Sequence, residues 1–219
     1  MKVGTDGVLL GAWAKPGDAT RILDVGTGTG LIAIMLAQQC NAIIDAIEID
    51  ESAYFQATEN SKNSPWSERL KISHISFEEF IEKAVFRYDL IVSNPPYHKE
   101  TIKSPIAGRR LARHAPSLEY STIIGAASVL LTSNGKISII LPASEENQAR
   151  KNADDSALFC TRLTHMIPSP GKTPSRSLLE FSRIFQPLKE DSILIEENGR
   201  HSYSEEYIQL TRDFYLKFK

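Results

Sequence analysis

Apolar positions fall in short blocks along the chain, and their period changes from block to block. RILDVG (21–26), AIIDAIEI (42–49), LKISHI (70–75), YDLIVS (88–93) and KISIILP (136–142) are compact runs rich in Ile, Leu and Val, the pattern of buried strands. Between them GLIAIMLAQQC (30–40), ESAYFQATENSKN (51–63), FEEFIEKA (77–84), SLEYSTIIGAASVLLT (117–132) and SEENQARKNADD (144–155) predict helices. Asn134-Gly135 stands where a C-cap would close the fourth of these, and Ser144 where an N-cap would open the fifth. The first 14 residues predict a short helix or cap. ALFCTRLTHMI (157–167) and RSLLEFSRIF (176–185) predict a sixth and a seventh strand around the turn-rich PSPGKTP, and YSEEYIQLTRDFYLKF (203–218) a terminal amphipathic helix.

Strand–helix alternation over five units implies a parallel sheet covered by helices on both faces. The sixth and seventh strands follow each other without a helix, so the last strand is expected to run antiparallel. The expected class is therefore α/β, with a seven-stranded mixed sheet in one domain spanning 1–219. Residues 1–20 would form an amino-terminal cap and 98–116 a basic loop. A chain of 219 residues, 42% hydrophobic, suits one sizeable core.

Charge alters this picture little. A net charge of −2 and a pI near 6.2 do not advertise a nucleic-acid binder, so any such case rests on local patches. Cys40 and Cys160 lack partners at metal spacing and read as buried thiols in a reducing cytoplasm. His74 and His165 fall in strands and read as ordinary core or edge residues, so no metal is expected. No run approaches the ~18 apolar residues of a membrane span, and Asp6 interrupts the apolar start too early for a signal segment. These features predict a soluble, cytoplasmic monomer.

Chemistry enters at LDVGTGTGL (23–31). A strand ends in Asp24, a turn follows with Gly26, Thr27, Gly28 and Gly30, and a helix begins. Glycine allows close backbone approach, and a helix start offers free N–H groups. The G-x-G-x-G spacing is tighter than the dinucleotide fingerprint. Asp24 would repel a pyrophosphate and suits a ligand with a cationic end, such as the amino group of S-adenosylmethionine. Glu48, at the end of the second strand, is placed to take both hydroxyls of a ribose. Asn94-Pro95-Pro96-Tyr97 leaves the fourth strand on the same sheet edge. The Asn94 side chain and the Pro95 carbonyl are two acceptors on a stiff turn, suited to a planar –NH2 group, and Tyr97 is placed to stack on the ring bearing it.

DVGTGTG, IEID and NPPY at these spacings resemble the class I S-adenosylmethionine-dependent methyltransferases of the small-domain type. MKVGTDGVLLGAWA (1–14), NSPW (63–66), DLIVSNPPY (89–97), ARHAPSL (112–118) and YSEEYIQLTRDFYL (203–216) are similar to the tRNA(Val) adenine-37 N6-methyltransferase family, over nearly the whole chain. The resemblance implies a Rossmann-like fold, S-adenosylmethionine as donor and a valine tRNA as substrate. It implies that Gly26, Thr27, Gly28 and Gly30 line the methionine part of the cofactor and that Glu48, with Ile49 beside it, holds the ribose. It places Thr5 and Asp6 near the cofactor, and Asn94, Pro95, Pro96 and Tyr97 at the target adenine. Where the family often has Asp after the third strand, this chain has Ser76, so Ser76 and Phe77 are weaker expected cofactor contacts. The family also carries a segment ahead of MKVGTDG, so the natural chain is expected to extend before Met1.

His98, Lys99, Lys103, Arg109, Arg110, Arg113 and His114 cluster after NPPY, and Lys99, Lys103, Arg109, Arg110 and Arg113 are the expected RNA phosphate contacts. Three rivals keep the chemistry and change the planar amine: a glutamine amide of a protein release factor, a DNA adenine, or a guanine N2 of rRNA. A rival of another class is an NAD- or nucleotide-binding Rossmann protein, against which the tight glycine spacing argues.

Overall fold

A computed structural model describes residues 4–96 and 118–218. In chain order the elements are α1 (Thr5–Trp13), β1 (Arg21–Val25), α2 (Leu31–Gln39), β2 (Ile43–Glu48), α3 (Glu51–Lys62), β3 (Leu70–His74), α4 (Phe77–Lys83) and β4 (Tyr88–Ser93). Then come α5 (Tyr120–Leu130), β5 (Leu131–Pro142), α6 (Glu146–Asp155), β6 (Phe159–Ile167), β7 (Arg176–Ser182), β8 (Lys189–Leu194) and α7 (Glu205–Thr211). One sheet has the order β3-β2-β1-β4-β5-β7-β6-β8. β7 runs antiparallel to both β5 and β6, and the other pairings are parallel.

The strands are buried on both faces because neighbouring residues feed opposite cores. Leu23, Ile91, Ile137 and Ile139 pack with α5 and α6, around Ile123, Ile124, Ala149 and Ala153. Ile22, Ile44, Leu90, Val92 and Ile140 pack with α1, α2 and α7, around Leu9, Leu10, Leu36 and Tyr207. The doubly covered mixed sheet expected from the pattern is therefore present.

Four details differ. An eighth strand, Lys189–Leu194, joins the outer edge by pairing with β6. It pairs with one strand only and is mostly solvated, so KEDSIL carries little apolar signal. Asn134-Gly135 is no C-cap: α5 ends at Leu130 and β5 begins at once. The pairing of β4 with β5 jumps from Tyr88↔Leu131 to Leu90↔Lys136, and Gly135 lies in this bulge. A Cβ there would stand 2.6 Å from the Tyr88 carbonyl oxygen. Ser144 caps nothing, since Ala143–Glu145 form a 3-10 turn and α6 starts without a side-chain cap. The terminal helix is short, capped by Ser204, which accepts the Tyr207 N–H, and a second turn covers Leu216–Phe218.

α1 lies alongside α2. A Cβ on Gly7 would meet Leu31 at 3.2 Å, one on Gly11 would meet the Met35 sulfur at 2.7 Å, and Gln39 donates to the Gly11 carbonyl at 2.8 Å. At its far end Trp13 donates its ring N–H to Thr164 at 2.8 Å, with the Arg162 guanidinium 3.4 Å over the ring. The first turn of α1 is thus fixed beside the start of α2.

Because a backbone oxygen in a paired strand cannot withdraw as a side chain can, Gly135→Ala should destabilise the fold by roughly 1–3 kcal/mol. Urea unfolding should show a lower midpoint with an unchanged slope.

Candidate active site

The turn after β1 requires glycine. Gly26, Gly28 and Gly30 have φ of +69°, +59° and +81°, in the left-handed region that side chains avoid. Backbone conformation rather than space is what demands glycine: a Cβ on Gly26 would lie in ordinary contact with the Leu118 side chain at 3.4 Å, and one on Gly30 with Ala57 at 3.4 Å. Gly30 is the residue from which α2 starts, so the turn ends at a helix amino terminus with its unspent N–H donors. The Thr27 N–H bonds the Ile47 carbonyl at 2.9 Å, which fastens the turn to β2.

Two carboxylates flank it. Asp24 is fully buried at the end of β1. Its Oδ2 accepts the Thr27 hydroxyl at 2.6 Å and the Ala33 N–H at 3.1 Å, whereas its buried Oδ1 has no hydrogen-bond partner. Burial pushes its carboxyl up to about 7, against the lowering effect of those two hydrogen bonds, and nearby Glu48 adds to the rise. Glu48 closes β2. Its Oε2 accepts the Gly28 N–H at 2.8 Å, and its Oε1 accepts the N–H groups of Ile49 and Asp50, each at 2.9 Å. Asp50, the neighbouring acid, is committed to capping α3 through the Ala53 N–H at 2.8 Å.

Asn94, Pro95 and Pro96 follow β4 on the same carboxyl edge, half-buried, buried and exposed respectively. Ser93, immediately before them, donates to the Val25 carbonyl at 2.8 Å and binds this turn to the end of β1. Thr5 and Asp6 form the first turn of α1, beside Leu31, and Asp6 pairs with Arg176 at 2.8 Å. Ser76 caps α4 through the Glu79 N–H at 3.1 Å, and the Phe77 side chain is buried in the α5–α6 core. The Phe77 ring therefore belongs to packing, and its backbone is what borders the edge.

Within residues 4–151 a family model for the methyltransferase small domain matches, and that span holds the glycine turn, both carboxylates and Asn94. The chain belongs to the methyltransferase small-domain family. Curated relatives agree over almost the full length. A protein of Flavobacterium psychrophilum is 48% identical over 99% of this chain and 93% of its own, and one of Bacteroides fragilis 45% identical over 99% and 92%. A third, from Trichodesmium erythraeum, is 42% identical over 100% and 92%. Each is named tRNA1(Val) (adenine(37)-N6)-methyltransferase. Among solved structures, one described as a predicted O-methyltransferase from Agrobacterium tumefaciens superposes with a TM-score of 0.72 at 19% identity, covering 95% of this chain and 96% of that one. One described as a putative methyltransferase complexed with SAH superposes at 0.62 with 11% identity, over 82% of this chain and 50% of that one. These two likenesses show the fold.

In this methyltransferase the structure brings Asp24, Gly26, Thr27, Gly28, Gly30, Glu48, Ile49 and Asn94 to one edge. Tyr97 and the basic residues Lys99, Lys103, Arg109, Arg110 and Arg113 lie outside the described residues. Two contributors had no chemical signal in the sequence. Leu118 is an ordinary apolar residue until the fold lays it on Gly26, and Arg176 reaches Asp6 across 170 positions. Cys40 and Cys160 are free and half-buried rather than buried, and burial raises the Cys160 thiol to about 11. Among the described residues no His, Cys, Asp or Glu group is arranged for a metal, and no helix is long and apolar enough to cross a membrane.

The folded Asp24 carboxyl titrates near 7, above the ordinary 3.8, so the folded state binds this proton more tightly. Its contribution is fully present below about pH 4 and is lost as pH rises through 7. Asp24→Asn should therefore gain stability relative to the parent between pH 4.5 and pH 7.5, by on the order of 3 kcal/mol, in urea titrations at a series of pH values.

Proposed function

We propose that this chain transfers a methyl group from S-adenosylmethionine to N6 of adenosine 37 in a valine tRNA, in the cytoplasm. The observation that carries the reading is the 42–48% identity, over 99–100% of the chain, to relatives bearing that name. The residues fit the donor: the turn supplies close backbone at three left-handed glycines, and the buried, unpartnered Asp24 Oδ1 is an acceptor awaiting a cationic group. A methyl sulfonium supplies the electrophilic carbon when bound.

The protein's own groups would divide the work. Asp24 Oδ1 takes the ammonium of the methionine part. Glu48, a carboxylate with about four acceptor positions, keeps three for backbone and offers its remaining capacity to the ribose, beside Ile49. The hydroxyl of Ser76 and the backbone of Phe77 border the cofactor adenine, and Thr5 and Asp6 close the site from α1. The Asn94 side-chain oxygen and the Pro95 carbonyl each accept one hydrogen of the target amine, and Pro96 stiffens that turn. Held so, the nitrogen lone pair is turned out of the ring π system toward the methyl group. The proton released after transfer leaves through the same acceptors to solvent, so no strong base is needed. Tyr97 would stack on the target ring, and Lys99, Lys103, Arg109, Arg110 and Arg113 would hold RNA phosphates.

The test is incubation with unmodified bulk tRNA and labelled cofactor, then digestion to nucleosides. Label in N6-methyladenosine mapped to position 37 of valine tRNA is expected. Label in N2-methylguanosine, or transfer only to DNA or a release factor, overturns the reading. Asn94→Ala should lower the rate roughly 10²- to 10³-fold, as loss of a preorganised hydrogen-bonding group does. Calorimetry should find S-adenosylhomocysteine affinity nearly unchanged.

A further inference from the structure

An aromatic cavity of about 500 Å³ opens beside α1, lined by Pro168, Glu196, Tyr203, Tyr207, Tyr215 and Phe218, with Thr5 on its wall. It lies where β6 and β8 end. Backbone bonds from Ile195 to Ile167 (2.8 Å) and from Glu196 to Pro168 (3.1 Å) zip the two departing loops together there. Tyr203 stacks on Tyr207 with ring centroids 5.0 Å apart and planes 21° apart, and Phe218 forms T-shaped pairs with Tyr203 and Tyr215, each with centroids 5.4 Å apart. Glu196 is half-buried at the wall, where its Oε1 accepts the His201 N–H at 2.8 Å.

We propose that this cavity is a second base-binding subsite, which stacks a nucleobase of the tRNA neighbouring the one that is methylated. The inference rests on the tRNA reading above. Extracting one base from a stacked loop costs a few kcal/mol and strips its neighbours of their stacking partners. Aromatic faces restore that stacking for any base. α1 borders both regions: its first turn supplies Thr5 to the cavity and Gly7 to the contact with Leu31 at the start of α2, and β6 ends on the same sheet edge as β4. The volume lies within the range of ligand sites, about 300–1,000 Å³. The Glu196 carboxylate accepts hydrogen bonds and donates none, so it suits a base edge that presents an N–H donor. Exposed Lys172, Arg200 and His201 on the same loops can meet backbone phosphates, but Glu197, Glu205 and Glu206 are also exposed. Ring stacking rather than net charge therefore makes the site.

The experiment compares Tyr203→Ala, Tyr203→Phe and Glu196→Gln with the parent, using valine tRNA and anticodon stem-loops carrying one abasic nucleotide on either side of the target. Tyr203→Ala should raise the tRNA KM roughly 5- to 150-fold, the effect of losing one stacked base. Tyr203→Phe should restore it, and S-adenosylhomocysteine affinity should hold in both. One abasic position should weaken the parent and leave Tyr203→Ala no weaker than before. Glu196→Gln should raise the tRNA KM by less than Tyr203→Ala does, since stacking makes the site. Should Tyr203→Ala melt earlier while its tRNA KM is unchanged, the rings merely pack the chain's own ends and the subsite is refuted. A parent that methylates tRNA with no variant altering KM refutes the subsite alone. A parent that methylates no tRNA refutes the tRNA reading and this inference with it.

Discussion

One carboxylate holds the site together. Glu48 accepts three backbone N–H groups, from Gly28 in the turn after β1 and from Ile49 and Asp50 beyond β2. A turn with three residues at positive φ has few internal bonds of its own and aims its N–H groups outward. A charged acceptor is what such donors require in a half-buried setting, because an unmet donor there costs about 1–3 kcal/mol. Glu48 therefore sets the shape of the turn before any ligand arrives. Asp24 complements it from within the core, with one oxygen spent on Thr27 and Ala33 and the other unspent.

The topology turns these local features into a site. β1, β2 and β4 are parallel neighbours, so their carboxyl ends deliver Asp24, Glu48 and Asn94 to one edge without further devices. The antiparallel β7 does the converse: it starts at that edge and brings Arg176 to Asp6 on α1. This ion pair, with Trp13 and Arg162 at the other end of α1, keeps the amino-terminal helix against the glycine turn. The glycine turn and the aromatic cavity thus both border α1.

Much of this was legible in the sequence because it rests on local patterns. The five buried parallel strands announce themselves by apolar runs, the glycine turn by residues that tolerate positive φ, and the Asn94 turn by prolines that cannot continue a strand. What was not legible depends on tertiary placement. KEDSIL is polar because an edge strand with one neighbour needs no apolar face, and Asn134-Gly135 mimics a helix stop while serving a close approach to Tyr88. Ser144 looks like a cap, but a 3-10 turn intervenes before α6. Leu118 and Arg176 acquire their positions only through contacts between distant segments.

The central claim is that Glu48 organises the glycine turn, and Glu48→Gln tests it most directly. The amide has the same size but turns one acceptor into a donor, which faces a backbone N–H. Calorimetric titration with S-adenosylhomocysteine should show a dissociation constant raised about ten- to a hundredfold, as for losing a hydrogen bond to a charged group. Amide exchange at Gly28 should quicken in the same variant. Unchanged affinity together with unchanged protection at Gly28 would contradict the account.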